Sequence, residues 1–234
     1  MSALRTIFWV IFIISIPVFL ISSTVVLEFN CLPFYEYAYQ KYHINEVTGF
    51  TNEQLLMITR HLIQFFNGKA DSAQLMLEKN GKPVYLFHDY EIQHLNEVRV
   101  LFRYTFQVMI IALIFFFLYL VFTRLSRVKK KWYYFWKGLM NGNFLTLGLL
   151  FGLGITVLVG FHSLFTKFHY LVFGDPASSP WMLDPRTDHL VMMYPLNFWQ
   201  DATILGIGTI IAAALLMSLI SFIVLRKYRH RRSY

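Results

Sequence analysis

Four apolar runs, each long enough to cross a bilayer, constrain this 234-residue chain more than any other feature. A span needs about 20 apolar residues. Lipid offers no water to backbone N–H and C=O groups, so each run is expected to be helical. The runs are Thr6–Leu27, Val100–Thr123, Leu139–Gly160 and Ala202–Leu225. The first is longer than a signal-peptide core of roughly 7–15 residues and has no A-x-A-like site after it, so it reads as a retained helix. With 56% hydrophobic and 15% charged residues, an ordinary soluble domain is excluded.

The loop charges give these spans a direction. Arg5 precedes the first. Arg124, Arg127, Lys129, Lys130, Lys131 and Lys137 lie between the second and third. Arg226, Lys227, Arg229, Arg231 and Arg232 follow the fourth. All 13 acidic residues lie in the two alternate segments, Glu28–Arg99 and Phe161–Asp201. The positive-inside rule then puts both termini and the 124–138 loop in the cytoplasm. The basic clusters become topology signals that touch anionic membrane lipids, and the formal charge of +8 implies no nucleic-acid partner. The expected fold is a mainly α, multi-pass membrane protein with four transmembrane helices (1–28, 100–123, 139–160 and 202–225). A small extracellular α+β cap with one β-hairpin (29–99) joins the first two, and a second extracellular segment (161–201) joins the last two. The tail, 226–234, is basic and cytoplasmic. In the third span, Gly148, Gly152 and Gly154 are the expected points of close helix approach.

The cap has local punctuation. Thr51 and Gln54 form a capping-box pattern that starts a helix running to about Phe66, with Gly68 as its terminator. Asn80-Gly81 is a type I′ hairpin signal between Leu75–Lys79 and Lys82–Phe87. Asp89 is an expected N-cap for a helix that carries Glu91, His94 and Glu97 and runs into the second span with no Gly or Pro between. The aromatic run with Tyr35, Tyr39 and Tyr42 is either an interfacial belt or a tyrosine-lined wall for a substrate with lipid and polar parts. Cys31 is a lone thiol: Phe29 and Asn30 before it are too large for a lipobox, and no CxxC site exists.

Histidine titrates near neutral pH and passes protons. His94, His162 and His169 are all expected near the outer membrane surface, and the seven-residue spacing of the last two allows a shared helix face. A metal site would use three His, with Glu91 or Asp188, but no compact HExxH-like spacing appears, and neither a metal nor another cofactor is expected. Acid–base catalysis would need only two imidazoles about one reacting group. No GxSxG or Ser/His/Asp pattern marks a serine hydrolase. A non-catalytic accessory or sensor protein is the alternative, and four spans are few for a transporter.

Glu91-Ile92-Gln93-His94-Leu95-Asn96-Glu97-Val98 resembles the ExxHMxDV pattern of a bacterial membrane family, the lipoprotein intramolecular transacylases. Leu95 replaces Met, and Glu97 replaces Asp with one methylene more reach. Phe168-His169-Tyr170-Leu171-Val172-Phe173 is similar to the family's FHxxFF. Trp181, Leu183, Asp184, Pro185, Asp188, Tyr194-Pro195 and Phe198 follow in family order, and the stretch Tyr35–Gly49 also fits.

The resemblance implies a bacterial cell-membrane acyltransferase. It would move an acyl chain from the sn-2 ester of a diacylglyceryl lipoprotein to the α-amine of that lipoprotein's N-terminal Cys, giving the lyso form. It implies catalytic His94 and His169 at the outer membrane surface, with His162 as a competitor for the second role. Glu91 or Glu97 would orient His94, and Asp184 or Asp188 would orient His169 or cap their loop. Tyr35, Tyr39, Tyr42, Phe168, Phe173, Trp181 and Tyr194 would form the substrate pocket.

Overall fold

The structure is a computed structural model that describes residues 3–79 and 82–230. Its helices are α1 (Ala3–Phe29), α2 (Leu32–Lys41), α3 (Ile44–Thr48), α4 (Asn52–Phe66), α5 (Asp89–Leu125), α6 (Lys131–Phe173), α7 (His189–Met193) and α8 (Leu196–His230). Strands β1 (Met76–Lys79) and β2 (Lys82–Tyr85) lie between α4 and α5. Helices α1, α5, α6 and α8 are each long and apolar enough to cross a membrane, so the chain is a mainly helical, multi-pass membrane protein with one small sheet.

The chain divides into two compact units. The first takes in α1 through Val25, α5 from Thr105, α6 through Ile155 and α8 from Ile204. Its centre is aromatic. Phe12 is fully buried and stacks on Tyr119 at 4.1 Å and on Phe135 at 5.3 Å between centroids. Trp9 Nε1–H donates to the Tyr134 carbonyl at 3.0 Å, so α1 and α6 are joined by a hydrogen bond as well as by packing.

The glycines that allow this approach are not the expected ones. A Cβ on Gly138 would sit 2.8 Å from Trp9 Nε1, and one on Gly142 would sit 2.9 Å from the Ile13 carbonyl and overlap Ile16. A Cβ on Gly148, Gly152 or Gly154 would meet nothing within 4 Å among the described residues. The G-x-x-x-G seam is therefore ten residues earlier, at Gly138-x-x-x-Gly142, because that stripe of α6 is the one that faces α1.

The second unit, Val26–Tyr104 with Thr156–Thr203, carries the candidate site. Its core joins α2, α4, the hairpin, the start of α5 and α7 through Tyr39, Leu55, Ile58, Phe65, Leu77, Leu95 and Met193, all buried. α4 begins as its sequence dictates: the Thr51 hydroxyl accepts from the Gln54 N–H, and the Gln54 side chain returns to the Thr51 N–H. It ends in a Schellman motif. Gly68, at φ +75°, donates to the Phe65 carbonyl, and Lys69 donates to that of Gln64.

In the hairpin, Met76 pairs with Tyr85 and Lys79 with Lys82. The Asn80-Gly81 turn itself lies outside the described residues. Below the strands, the Gln74 side-chain amide extends the ladder. It donates to the Phe87 carbonyl at 2.6 Å and accepts from the Phe87 N–H at 3.0 Å. That fixes the entry to α5, which then runs unbroken from Asp89 to Leu125.

Candidate active site

His94 is on the second turn of α5. His169 is on the last turns of α6, which continues past the third apolar run. Gly160 leaves helical geometry and kinks α6, and the helix resumes to Phe173. Gly174, at φ +83°, ends it. This continuation carries His169 to His94: their ring centroids are 6.0 Å apart, and both rings are more than nine-tenths buried. Phe173 stands edge-on to His94 at 5.0 Å and lies 5.4 Å from His169. Phe165, Phe168 and Trp181 complete the aromatic surround of His169, at 4.1, 5.5 and 5.2 Å. Trp181 is held in place by its Nε1–H, which donates to the Gly174 carbonyl at 3.0 Å.

The hydrogen bonds set the protonation pattern. His169 Nδ1 lies 2.8 Å from the Phe165 carbonyl. A carbonyl only accepts, so Nδ1 carries the proton and Nε2 keeps a free lone pair. His94 Nδ1 is buried with no hydrogen-bond partner among the described residues, and its nearest charge is Glu97 Oε2 at 3.6 Å. The same Glu97 oxygen accepts from the Ser179 hydroxyl. Burial lowers the pKa of both imidazoles. For His94 the neighbouring His169 lowers it further and Glu97 opposes the shift, while for His169 the Phe165 carbonyl opposes it. These shifts favour the neutral form of both rings at pH 7, and a proton on His169 disfavours one on His94.

Several expected roles move. Glu91 does not serve His94. Fully buried, it accepts from the N–H of His88 and of Leu190, both at 2.8 Å, and so clamps the start of α5 to α7. Asp188 does not serve His169. It accepts from the Tyr90 hydroxyl (2.6 Å), the Thr187 hydroxyl (2.8 Å) and the Asp184 N–H (2.7 Å). Burial pushes its pKa up, but these donors outweigh it and hold the carboxyl below its ordinary range. Asp184 turns outward to Arg186 at 2.7 Å. His162, two turns before His169 on α6, is exposed.

The tyrosines form core and rim rather than the imidazole pocket. The Tyr39, Tyr194 and Thr59 hydroxyls form a buried triangle, with the two phenols 3.1 Å apart. Tyr35 packs on Tyr194 and Phe198, and Tyr42 donates to Asp201 at 2.6 Å. Of the aromatics expected to line the pocket, Phe168, Phe173 and Trp181 are those with ring contacts to an imidazole among the described residues. Ser179 and Phe165 carried no motif signal. Only Phe165's position four residues before His169, one helical turn, could have pointed to it.

Among the described residues, His88, Glu91 and Asp188 place ligand atoms within 4.8 Å of one another, a spacing that could take a cation. Protein N–H and O–H donors already occupy all four carboxylate oxygens of Glu91 and Asp188, so this trio reads as a brace.

The solved structures similar to this chain share its fold. The membrane-integral lipoprotein intramolecular transacylase Lit of Bacillus cereus matches with a TM-score of 0.80 at 17% identity, over 98% of this chain and 100% of that one. The same protein carrying a histidine-to-alanine substitution matches with a TM-score of 0.75 at 16% identity, and one carrying a histidine-to-arginine substitution with 0.69 at 16% identity. Each of these covers 97% of this chain and 96% of its own. No curated protein sequence matches this one. The family model of the lipoprotein intramolecular transacylase Lit matches residues 10–199, and this chain belongs to that family.

Proposed function

We propose that this transacylase moves the acyl group from the sn-2 ester of a diacylglyceryl lipoprotein to the α-amine of the same lipoprotein's N-terminal Cys, leaving a lyso-form lipoprotein. The observation that carries the reading is the buried His94–His169 pair in an aromatic enclosure. Family membership supports the reaction class. The charge distribution along the chain supports an outer-surface site with both termini in the cytoplasm.

A peptide α-amine ordinarily titrates at about pH 8 and is mostly protonated at neutral pH, so it must lose a proton before attack. His94 is the fitting acceptor, because Glu97 at 3.6 Å stabilises the imidazolium that results. That proton leaves to solvent, which restores His94. The free amine then attacks the sn-2 carbonyl carbon, forming the C–N bond and a tetrahedral oxyanion. A second proton leaves this nitrogen for His169 Nε2, the lone pair left open by the Nδ1–H bond to Phe165. Collapse breaks the carbonyl carbon–glyceryl oxygen bond, and His169 returns its proton to that oxygen. The products are an N-acyl amide and a free sn-2 hydroxyl, with one net proton released for each protonated substrate amine.

Acyl donor and acceptor share one molecule, so the main task is to fold the substrate into reach, a placement that can be worth roughly 7–11 kcal/mol. Phe165, Phe168, Phe173 and Trp181 supply stiff walls for that fold and keep water from the ester.

The test is purified protein in lipid with a diacylglyceryl lipopeptide, comparing wild type with His94→Ala and His169→Ala. Acyl transfer by wild type and by neither folded variant is the expected result. Full activity in either variant would overturn the assignment.

A further inference from the structure

One stripe of α5 lines an open surface groove of about 550 Å³, through Asp89, Ile92, Gln93, Asn96, Glu97 and Val100. The lining has two carboxylates, two carboxamides and, among the described residues, no basic group. At about 100° per residue, Glu97 falls on the edge of this stripe that is nearest His94. Its carboxylate is 30% exposed and 3.6 Å from His94 Nδ1, the buried nitrogen without a hydrogen-bond partner. The Ser179 hydroxyl holds the same carboxylate oxygen, and among the described residues the other oxygen of Glu97 is the open acceptor. Glu97 therefore joins a negatively charged surface groove to a buried base.

We propose that this groove binds the N-terminal end of the lipoprotein polypeptide, with Glu97 receiving the α-ammonium group before its proton passes to His94. The inference rests on the transacylase reading above and adds the part of the site that recognises the peptide. The charge is complementary: the substrate terminus is a cation, and Glu97 and Asp89 are the charged groups that line the groove among the described residues. Gln93 and Asn96, about one helical turn apart, present side-chain carbonyl oxygens to a peptide backbone lying along the helix, while their amide nitrogens donate to the Ser178 and Ile92 carbonyls. A substrate cation docked on Glu97 is already within reach of its proton acceptor, so binding and deprotonation share one position.

The test uses two inert analogues, so that binding is read apart from turnover. Both are lipopeptides with an ether in place of the sn-2 ester, one with a free α-amine and one N-acetylated. Dissociation constants are measured at pH 7 for wild type, Glu97→Gln and Glu97→Asp in lipid nanodiscs. Wild type is expected to bind the amine analogue at least about tenfold more tightly than the acetylated one. Glu97→Gln is expected to lose that preference, while its affinity for the acetylated analogue stays the same, which also shows that it is folded. Glu97→Asp should restore part of the preference. Equal preference for the amine in wild type and Glu97→Gln would overturn the proposal, as would no preference in wild type. Either result leaves the transacylase reading standing if the ester substrate is still converted. Absence of conversion is a separate outcome, and it would overturn both.

Discussion

His94 and His169 come from helices far apart in sequence, yet their rings lie 6.0 Å apart, with Phe173 against both. Two neutral imidazoles at this separation can carry one proton between them, because a charge on either raises the cost of a charge on the other. The proposed amine acceptor, which sheds two protons in sequence with one of them bound for the leaving oxygen, suits such a pair.

His94→Ala and His169→Ala are each expected to lower the rate of transfer by about 100-fold or more, the usual contribution of a positioned acid–base group. His162→Ala is expected to leave it unchanged, since that ring is exposed. Thermal unfolding of each variant, run alongside the rate assay, separates loss of chemistry from loss of fold.

The pH profile should follow the substrate rather than the enzyme. Burial lowers the pKa of both imidazoles below about 6.5, where an exposed His would titrate. The rate is expected to rise with pH through a midpoint at about 8 to a plateau above it, and to show no break at about 6.5. Lowering the basicity of the substrate amine should shift the whole limb to lower pH. A limb that stays at one pH for every amine would place the titrating group on the enzyme. Stability has the matching sign. A depressed folded-state pKa gives a contribution that is present above the ordinary imidazole range and is lost as pH falls through the folded-state pKa, so acid should unfold the wild type earlier than His94→Phe.

Glu91 and Glu97 are separated by six residues and should behave oppositely. Glu91→Ala removes the buried acceptor of two N–H groups, of His88 and Leu190, a loss of about 0.5–1.5 kcal/mol for each hydrogen bond. It is expected to lower the unfolding temperature sharply, with the activity of the surviving folded protein little changed. Glu97→Ala should leave the unfolding temperature near that of wild type and reduce activity. Measuring both quantities on both variants checks the division of labour.

Gly142→Leu is expected to destabilise the protein by about 1–3 kcal/mol or more, because the new side chain meets Ile16 and the Ile13 backbone. Gly148→Ala and Gly152→Ala have open space at that position and should be near neutral. Chemical or thermal unfolding in detergent distinguishes them, and equal effects at all three positions would contradict the α1–α6 seam described above.

Much of this architecture was legible in the sequence because it depends on local signals. Four apolar runs, the Thr51–Gln54 box and the Gly68 stop each state their structure within a few residues. The unbroken passage from Asp89 into the second span was also visible, since nothing in it could end a helix. The site was legible in part. His94 and His169 could be picked out by motif, but their partners come from packing. Whether Glu91 or Glu97 faces His94 depends on where α7 docks, and Leu190 settles it by donating to Glu91. The tyrosines of α2 face a core completed by Thr59 and by Tyr194, 155 residues beyond Tyr39. No pattern within the run itself separates that from a pocket wall. The glycines show the same limit: spacing marks a small-residue stripe, and only the neighbouring helix decides which stripe is used.

The most direct measurement is tandem mass spectrometry of a diacylglyceryl lipopeptide with different acyl chains at sn-1 and sn-2, incubated with the purified protein. Transfer conserves total mass, so the fragment that carries the N-terminal Cys amine is the readout. The account predicts that this amine gains the sn-2 chain, that the glyceryl group loses the same chain, and that His94→Ala and His169→Ala give neither change. An unmodified amine with wild-type protein, or an amine carrying the sn-1 chain or a chain from the surrounding phospholipid, would contradict it.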